Sequence, residues 1–422
     1  MKPARRRGGT SWLWHQTAFM SPAIRRRAQA IAVTVLLGLV GGLVFYFRDR
    51  TPSPQEARQI VEDARALLEK GRPDDALTCL GPLLDSPTQS ADALELGGMA
   101  SLQQQAPERA RQLWSRLPPQ SPAWGRIGLA YAKASLAAAD WDTALRALRR
   151  FLKESPKDLA ALEELRWLDF NLLRSSEALA VLERKLEAGD LQALIDLLET
   201  EHRRQIPQEG LKTLQAVNGQ LPGQQSVGLA LGVCYWQLGE IGKAEKHLLA
   251  ASRKGDDAAY ATLTVSAFLL ERGQIDAAET LLQTLQTEGD KGTVVPPALR
   301  ESYWLLKSDI DERRARYDQA LPSLDRAIAL GPVRKELLVR RSGLLRLLRR
   351  PEEAAAAARR AERLESQERR LWEMVDAGTH RNPTPEDCQT FSDLCGELGR
   401  PLQARGWLEI RRRLASSGGG QP

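Results

Sequence analysis

Few side chains in this sequence are of the kinds that carry out chemistry. Its 422 residues include four histidines (His15, His202, His247 and His380) and four cysteines (Cys79, Cys234, Cys388 and Cys395). No histidine has a second histidine or cysteine at metal-ligand spacing, and no cysteine pair has the C-x-x-C spacing of zinc or c-type haem sites. Cys388 and Cys395 lie seven apart. On one continuous helix that is roughly 10 Å of rise, beyond disulfide reach, whereas a break between them would reopen pairing. The four read as inert, mostly buried thiols and leave the redox compartment undecided. No G-x-x-x-x-G-K-[ST] or G-x-G-x-x-G loop occurs to cradle a phosphate, and no G-x-S-x-G elbow to raise a nucleophile. His380 lies near Asp376 and Glu386, but on a loop whose path the sequence does not give. The expectation is a protein without a catalytic site, a metal or a cofactor.

The elements that would position any site are helices. Hydrophobic residues make up 42% of the chain, enough to bury a sizeable core. They are mostly Leu and Ala, with few β-branched or aromatic residues, which favours helix over strand. The net charge of +6, from 60 basic and 54 acidic residues, suits solvated helix faces better than a nucleic-acid machine.

The helices repeat. Ala76, Ala110, Ala144 and Ala178 are spaced by 34; Gly210 follows after 32, then Ala244 and Ala278 at 34. After an insertion come Ala320 and Ala354, again 34 apart, and finally Ala404. Four residues after each there is usually a leucine (Leu80, Leu148, Leu248, Leu324), and about five before stands a turn former (Gly71, Gly239, Gly273, Gly399). Twelve before lies a small residue such as Ala64, Ala132, Gly232, Ser308 or Ser342. Apolar residues at i, i+3 and i+4 mark two amphipathic helices per unit. Glycine ends the first, and the alanine lets the second pack closely against the small residue of the first. One hairpin cannot bury both its faces, so neighbours must stack.

This pattern resembles the tetratricopeptide repeat family. The residues that carry the likeness are best seen in Leu231–Ala251 (LGVCYWQLGEIGKAEKHLLAA), with Gly232, Tyr235, Gly239 and Ala244 at the family's positions, in Trp124–Pro156, and in Tyr317–Pro332. The likeness covers about 55–415; the stretches 157–222 and 365–390 fit poorly. It implies an all-α, right-handed α-solenoid of stacked helical hairpins, with repeats over 56–365, a helix and loop insertion over 366–390 and a terminal hairpin over 391–415. The loop insertions at 288–297 and 376–386 read as plain loops or as recognition elements. Residues 416–422 read as a flexible tail.

Ahead of the repeats, residues 28–47 form an uncharged run of twenty (AQAIAVTVLLGLVGGLVFYF), about 30 Å long as a helix and so matched to a bilayer. A cleaved signal peptide is the alternative, but bulky aromatics and Arg48 follow the run in place of a small-residue cleavage site. Seven basic residues precede the run and four follow within twenty residues. That bias predicts a cytoplasmic segment 1–27, a transmembrane helix 28–47, a linker 48–55, and a repeat domain on the extracytoplasmic (periplasmic) side. The chain is thus expected to be a membrane-anchored, bacterial-type repeat protein.

In the family the first helix of each hairpin lines a concave groove. By repeat phase, the residues implied to face it are Arg126, Lys133, Trp167, Phe170, Asn171, His202, Arg203, Trp236, Gln237 and Tyr260. Exposed aromatics beside polar groups suit protein or peptide partners, although Trp167 and Phe170 also fit a core reading. A second candidate is basic: residues 313–370 hold 16 Lys and Arg against 8 Asp and Glu, with Arg340, Arg341, Arg346, Arg349 and Arg350 clustered. Such runs are commonly solvated faces with local ion pairs. The expected function is a membrane-tethered scaffold for protein or peptide partners; the alternative is an accessory subunit that positions a separately encoded enzyme. Neither nucleic acid nor a small-molecule substrate is expected as a partner.

Overall fold

The computed structural model describes residues 52–418 apart from 87–89, 203–205, 252–256 and 288–292. The chain divides into two compact units, one through Gln104 and one from Gln105. In the first, α1 (Pro54–Glu69) and α2 (Pro73–Leu84) pair as a hairpin, and α3 (Ala91–Gln103) packs on both. Ser53 caps α1 in a capping box with Glu56, and Ala64, Ala76 and Leu80 are wholly buried between the helices.

The second unit begins with α4 (Pro107–Trp114), which packs on α5 (Trp124–Ala137). Hairpins follow as α5 with α6 (Trp141–Glu154) and α7 (Leu159–Asn171) with α8 (Ser175–Glu187). After α9 (Gln192–His202) and α10 (Pro207–Gln220) come α11 (Gln225–Gln237) with α12 (Ile241–Ala250), and α13 (Ala258–Glu271) with α14 (Ile275–Leu282). The last three hairpins are α15 (Arg300–Arg313) with α16 (Tyr317–Leu330), α17 (Lys335–Leu347) with α18 (Pro351–Asp376), and α19 (Pro385–Glu397) with α20 (Pro401–Gly418). Between α14 and α15, two short strands, β1 (Leu285–Gln286) and β2 (Thr293–Val294), pair in parallel. The architecture is the expected all-α stack of helical hairpins.

The 34-residue period has a visible cause. Ala76, Ala110, Ala144, Ala244, Ala278 and Ala320 have no exposed surface, because each sits where two helices cross. Ser308 and Ser342, twelve residues before their alanines, donate from Oγ to the carbonyls of Ala320 (3.0 Å) and Ala354 (2.8 Å). At Gly232 the helices are in close contact: an added Cβ would lie 2.7 Å from Leu248. The position five before each alanine is left-handed throughout, at Gly71, Gly239, Gly273 and Gly399 and also at Gln105, Ala139, Leu173, Ala315 and Arg349. There the chain reverses, and the next N–H closes the helix end, as Arg350 does on Leu345 at 2.8 Å.

Non-glycine residues in this conformation are strained by roughly 1–2 kcal/mol, partly offset by the lower chain entropy of the unfolded state. Arg349 is exposed at φ +59°. Arg349→Gly is therefore expected to stabilise the fold by about 0.5–1 kcal/mol, read as a raised urea midpoint at unchanged slope.

The regular phase breaks at α9 and α10, which do not pack as a hairpin. Helix α10 packs on α11 and α7, whereas α9 packs on α8 and reaches α18 and α20. The reason is apolar: Ala193, Leu194, Leu197 and Leu198 of α9 share one core with Leu371, Val375, Phe391 and Trp407. Phe391 and Trp407 stack in it at 4.4 Å. Polar contacts seal the rim. Glu199 accepts from Arg381 at 2.8 Å and faces His380 Nε2 at 3.4 Å, and Glu201 takes Arg400 and Gln403. His380 is thus a buried joint between helices, 2% exposed.

The membrane expectation needs correction. Among the described residues no helix is long and apolar enough to cross a membrane. The longest, α18, has 26 residues, but charged side chains recur along its whole length (PEEAAAAARRAERLESQERRLWEMVD). The segment 28–47, on which the transmembrane helix was expected, lies outside the described residues, as do 1–27 and residues 48–51 of the linker 48–55. The membrane anchor, the orientation and the periplasmic location therefore form no part of the reading below. All four cysteines are free thiols, and burial pushes Cys234 up to about 11 and Cys395 up to about 12.

Candidate functional site

Helix α7 presents the clearest surface for a partner. Leu159, Trp167 and Phe170 fall on one face at spacings of eight and three, and are 42%, 41% and 37% exposed. The opposite face is core: Leu162, Leu165 and Leu168 are buried. Trp167 is held rather than loose. Trp141, at the start of α6, packs its ring edge-on at 5.5 Å, and Asn171 Nδ2 donates to the Trp167 carbonyl at 2.7 Å. Charge surrounds the aromatics. Glu163 accepts from Arg166 and, at 2.7 Å, from Lys185; these cations, Arg166 foremost, hold its carboxyl down to about 2. Lys133 reaches from α5 to Glu164 at 3.4 Å, so the outer faces of α5 and α7 adjoin.

The other groove candidates are placed differently. Arg126 is exposed on α5. Trp236 is half-buried on α11, its ring edge-on to Phe268 at 5.5 Å, and Gln237 is exposed beside it. The hydroxyl of Tyr260 donates to the Leu173 carbonyl at 3.2 Å, and its ring lies 4.3 Å beneath the Arg174 guanidinium. His202 ends α9 with its side chain outside the described residues, as is Arg203 altogether. Lys133, Trp167, Phe170 and Asn171 are therefore brought together, and Trp236 and Tyr260 are engaged elsewhere. Leu159 completes the exposed face and Trp141, itself buried, braces it; the sequence signals them only weakly, since both stand at helix starts.

Two polar clusters lie near α7, one joining α6 to α11 and one beneath α7 itself. Gln224 Oε1 accepts from the Trp141 and Asp142 amides at 2.6 and 3.3 Å, and Asp142 accepts from the Gln225 and Ser226 amides at 2.7 and 3.0 Å. The N-termini of α6 and α11 cap each other. Beneath α7, Arg174 lies among Asp169 (3.3 Å), Glu177 (3.0 Å) and Asp257 (2.9 Å), and Arg149 adds a second cation to Asp257 at 2.6 Å. Burial raises Asp169 to about 7. Burial acts on Asp257 too, but Arg174 and Arg149 overcome it and hold that carboxyl at about 2.

In the basic stretch Arg340 pairs with Asp309 and Glu312, Arg341 with Asp325 and Arg350 with Glu353, which leaves Arg346 and Arg349 exposed without ion pairs. Among the described residues no cluster of His, Cys, Asp and Glu could hold a metal.

Comparison with known proteins agrees with the fold. The family model described as "Tetratricopeptide repeat" matches residues 62–123 and 305–368. No curated protein matches. Among solved structures, the chain is similar to a tetratricopeptide repeat protein from Parabacteroides merdae at 12% identity, over 69% of this chain and 98% of that one, with a TM-score of 0.27. It is also similar to human IFIT1 in a dimer with PPP-AAAA (17%, 83% and 81%, 0.32) and to Pseudomonas aeruginosa pilF (13%, 54% and 90%, 0.23). The repeat match over residues 62–123 and 305–368 is consistent with an interaction scaffold.

Proposed function

We propose that the protein is an interaction scaffold that receives a segment of a partner protein along the exposed face of α7. The observation that carries this is the adjacent exposure of Trp167 and Phe170 on a braced first helix. Large rings held rigid by their own protein give contact area at low entropic cost, and such residues dominate protein interfaces. The cations Arg126 and Lys133 on neighbouring α5 and the Glu163–Arg166 pair supply a polar rim. Membrane attachment forms no part of the proposal.

The test places a photoreactive amino acid at position 167 or 170 in cells, with position 109, exposed on α4, as control. The expected result is the same cross-linked protein from both α7 sites and not from the control. Its recovery through a tag should fall about tenfold or more in a Trp167→Ala, Phe170→Ala double variant that keeps its helical circular dichroism. Equal recovery of that partner from the double variant would sink the proposal.

A further inference from the structure

A cleft of about 520 Å³ lies between α16, α17 and α18. That volume falls within the range of roughly 300–1,000 Å³ that ligand sites occupy. Ile328, Val333 and Leu338 give it apolar walls, and Ala356 and Ala357 give α18 a low profile there. Arg341 and Arg360 stand at its polar side.

The hydrogen-bond inventory of those two arginines is what points to a ligand. Arg341 commits only its Nε, to Asp325 Oδ1 at 2.7 Å, so its two terminal nitrogens have no acceptor. Arg360 is exposed and makes no ion pair or hydrogen bond. On α18, Arg359, Arg363 and Arg370 are also exposed and likewise without ion pairs. Asp325 is the one carboxylate in the cleft, and it already faces Arg341. Elsewhere in this stretch Arg314, Arg316, Arg334, Arg340 and Arg350 each hold a carboxylate of this chain, whereas Arg346 and Arg349 do not. Uncommitted guanidinium nitrogens thus stand at the cleft and along the helix beside it, as well as at Arg346 and Arg349 near the end of α17.

We propose that this cleft docks an acidic segment of a partner protein, seating a leucine-like side chain between α16 and α18 while a neighbouring carboxylate bridges Arg341 and Arg360. Guanidinium and carboxylate match in planar, two-point geometry, and the apolar walls supply the burial that a bare ion pair on the surface lacks. Nucleic acid fits less well, because the cleft offers phosphates an apolar lining and offers bases no aromatic ring to stack on. This surface is separate from that of α7 and stands or falls independently of it.

The test is fluorescence polarisation with the full chain and a short fluorescein-labelled peptide in which two leucines are flanked by glutamates. Binding is expected, weakened about tenfold or more by Arg360→Glu and by Ala356→Trp, which fills the cleft from an exposed position. Arg109→Glu, the same charge change on α4, and Trp167→Ala should leave it within about twofold. Peptides with glutamine for glutamate, or serine for leucine, should each lose most of the affinity. The proposal is overturned by absence of binding to the wild-type chain, by equal affinity of Arg360→Glu or of the glutamine peptide, or by an oligonucleotide that displaces the probe better than the unlabelled peptide does.

Discussion

Arg174→Ala should cost about 3–5 kcal/mol of stability, the largest effect expected of any single substitution in this chain. The guanidinium is 3% exposed and faces Asp169, Glu177 and Asp257, while its flat side covers Tyr260. Removing it leaves Asp169 and Glu177 with no cation at contact distance and Asp257 with Arg149 alone. A buried charge without its partner loses both hydration and Coulomb attraction, and that imbalance sets the size of the effect. A domain is stable by only about 5–15 kcal/mol, so a third or more of the total is at stake. Hydrogen exchange should show where: amides of α7, α8 and the first turn of α13 should lose protection before those of α19 and α20. A urea midpoint within about 0.5 kcal/mol of wild type would show that the cluster is not needed.

The second large effect is a pH dependence centred on Asp169. Burial raises this carboxyl to about 7, Glu177 and Asp257 add to the rise, and Arg174 and Arg149 oppose it. A folded-state value above the unfolded one means that the favourable contribution is complete below the unfolded value near 3.8 and is lost as pH climbs through about 7. Stability should therefore rise by about 2 kcal/mol between pH 8 and 5.5 on account of this group. Asp257, held at about 2, loses its contribution only in far more acid solution and is silent in that window. His247, lowered by burial, works in the opposite direction as pH falls below its ordinary range. Asp309, Glu183 and Glu368, raised by burial, work in the same direction as Asp169. Asp169→Asn isolates the term: it should be more stable than wild type at pH 8, and the difference should shrink as pH falls to 5.5. Parallel pH profiles for the two proteins would contradict the assignment.

What could be read from one sequence followed the reach of its signals. The hairpins were legible because Ala144, Ala244 and Ala320 report a crossing of adjacent helices, and Gly71, Gly239 and Gly273 report the left-handed turn between them. These are local requirements, repeated often enough to stand out. The turns at Leu173 and Arg349 take the same conformation without glycine, so only the period locates them. The same phase puts Trp167, Phe170 and Lys133 on first helices, where the structure leaves them exposed. Tyr260 was assigned to a groove, yet it contacts Leu173 and Arg174, more than eighty residues earlier. Nothing in either segment announces that meeting. The basic run looked like one patch, but pairing divides it, because Asp309, Glu312 and Asp325 come from neighbouring helices. The anchoring helix was expected from an uncharged run and its basic and aromatic flanks, and the described helices include none able to span a bilayer.

The docking of α9 against α18 and α20 changes how this chain must fold. A stack of hairpins with only neighbouring contacts can nucleate anywhere and grow, because each new unit closes a short loop. Here the Glu199–His380 and Glu201–Arg400 contacts join residues 181 and 199 apart in the chain. Loop-closure entropy grows as about (3/2)RT ln n, so the search for those contacts is penalised beyond anything the hairpins face. It is repaid only once Leu194, Leu197, Phe391 and Trp407 come together. Closure is then the late, slow event in refolding, and α9 is the element whose amides gain protection last. Before closure, the apolar face of α9 stands open, and at that stage the chain is most prone to associate with copies of itself.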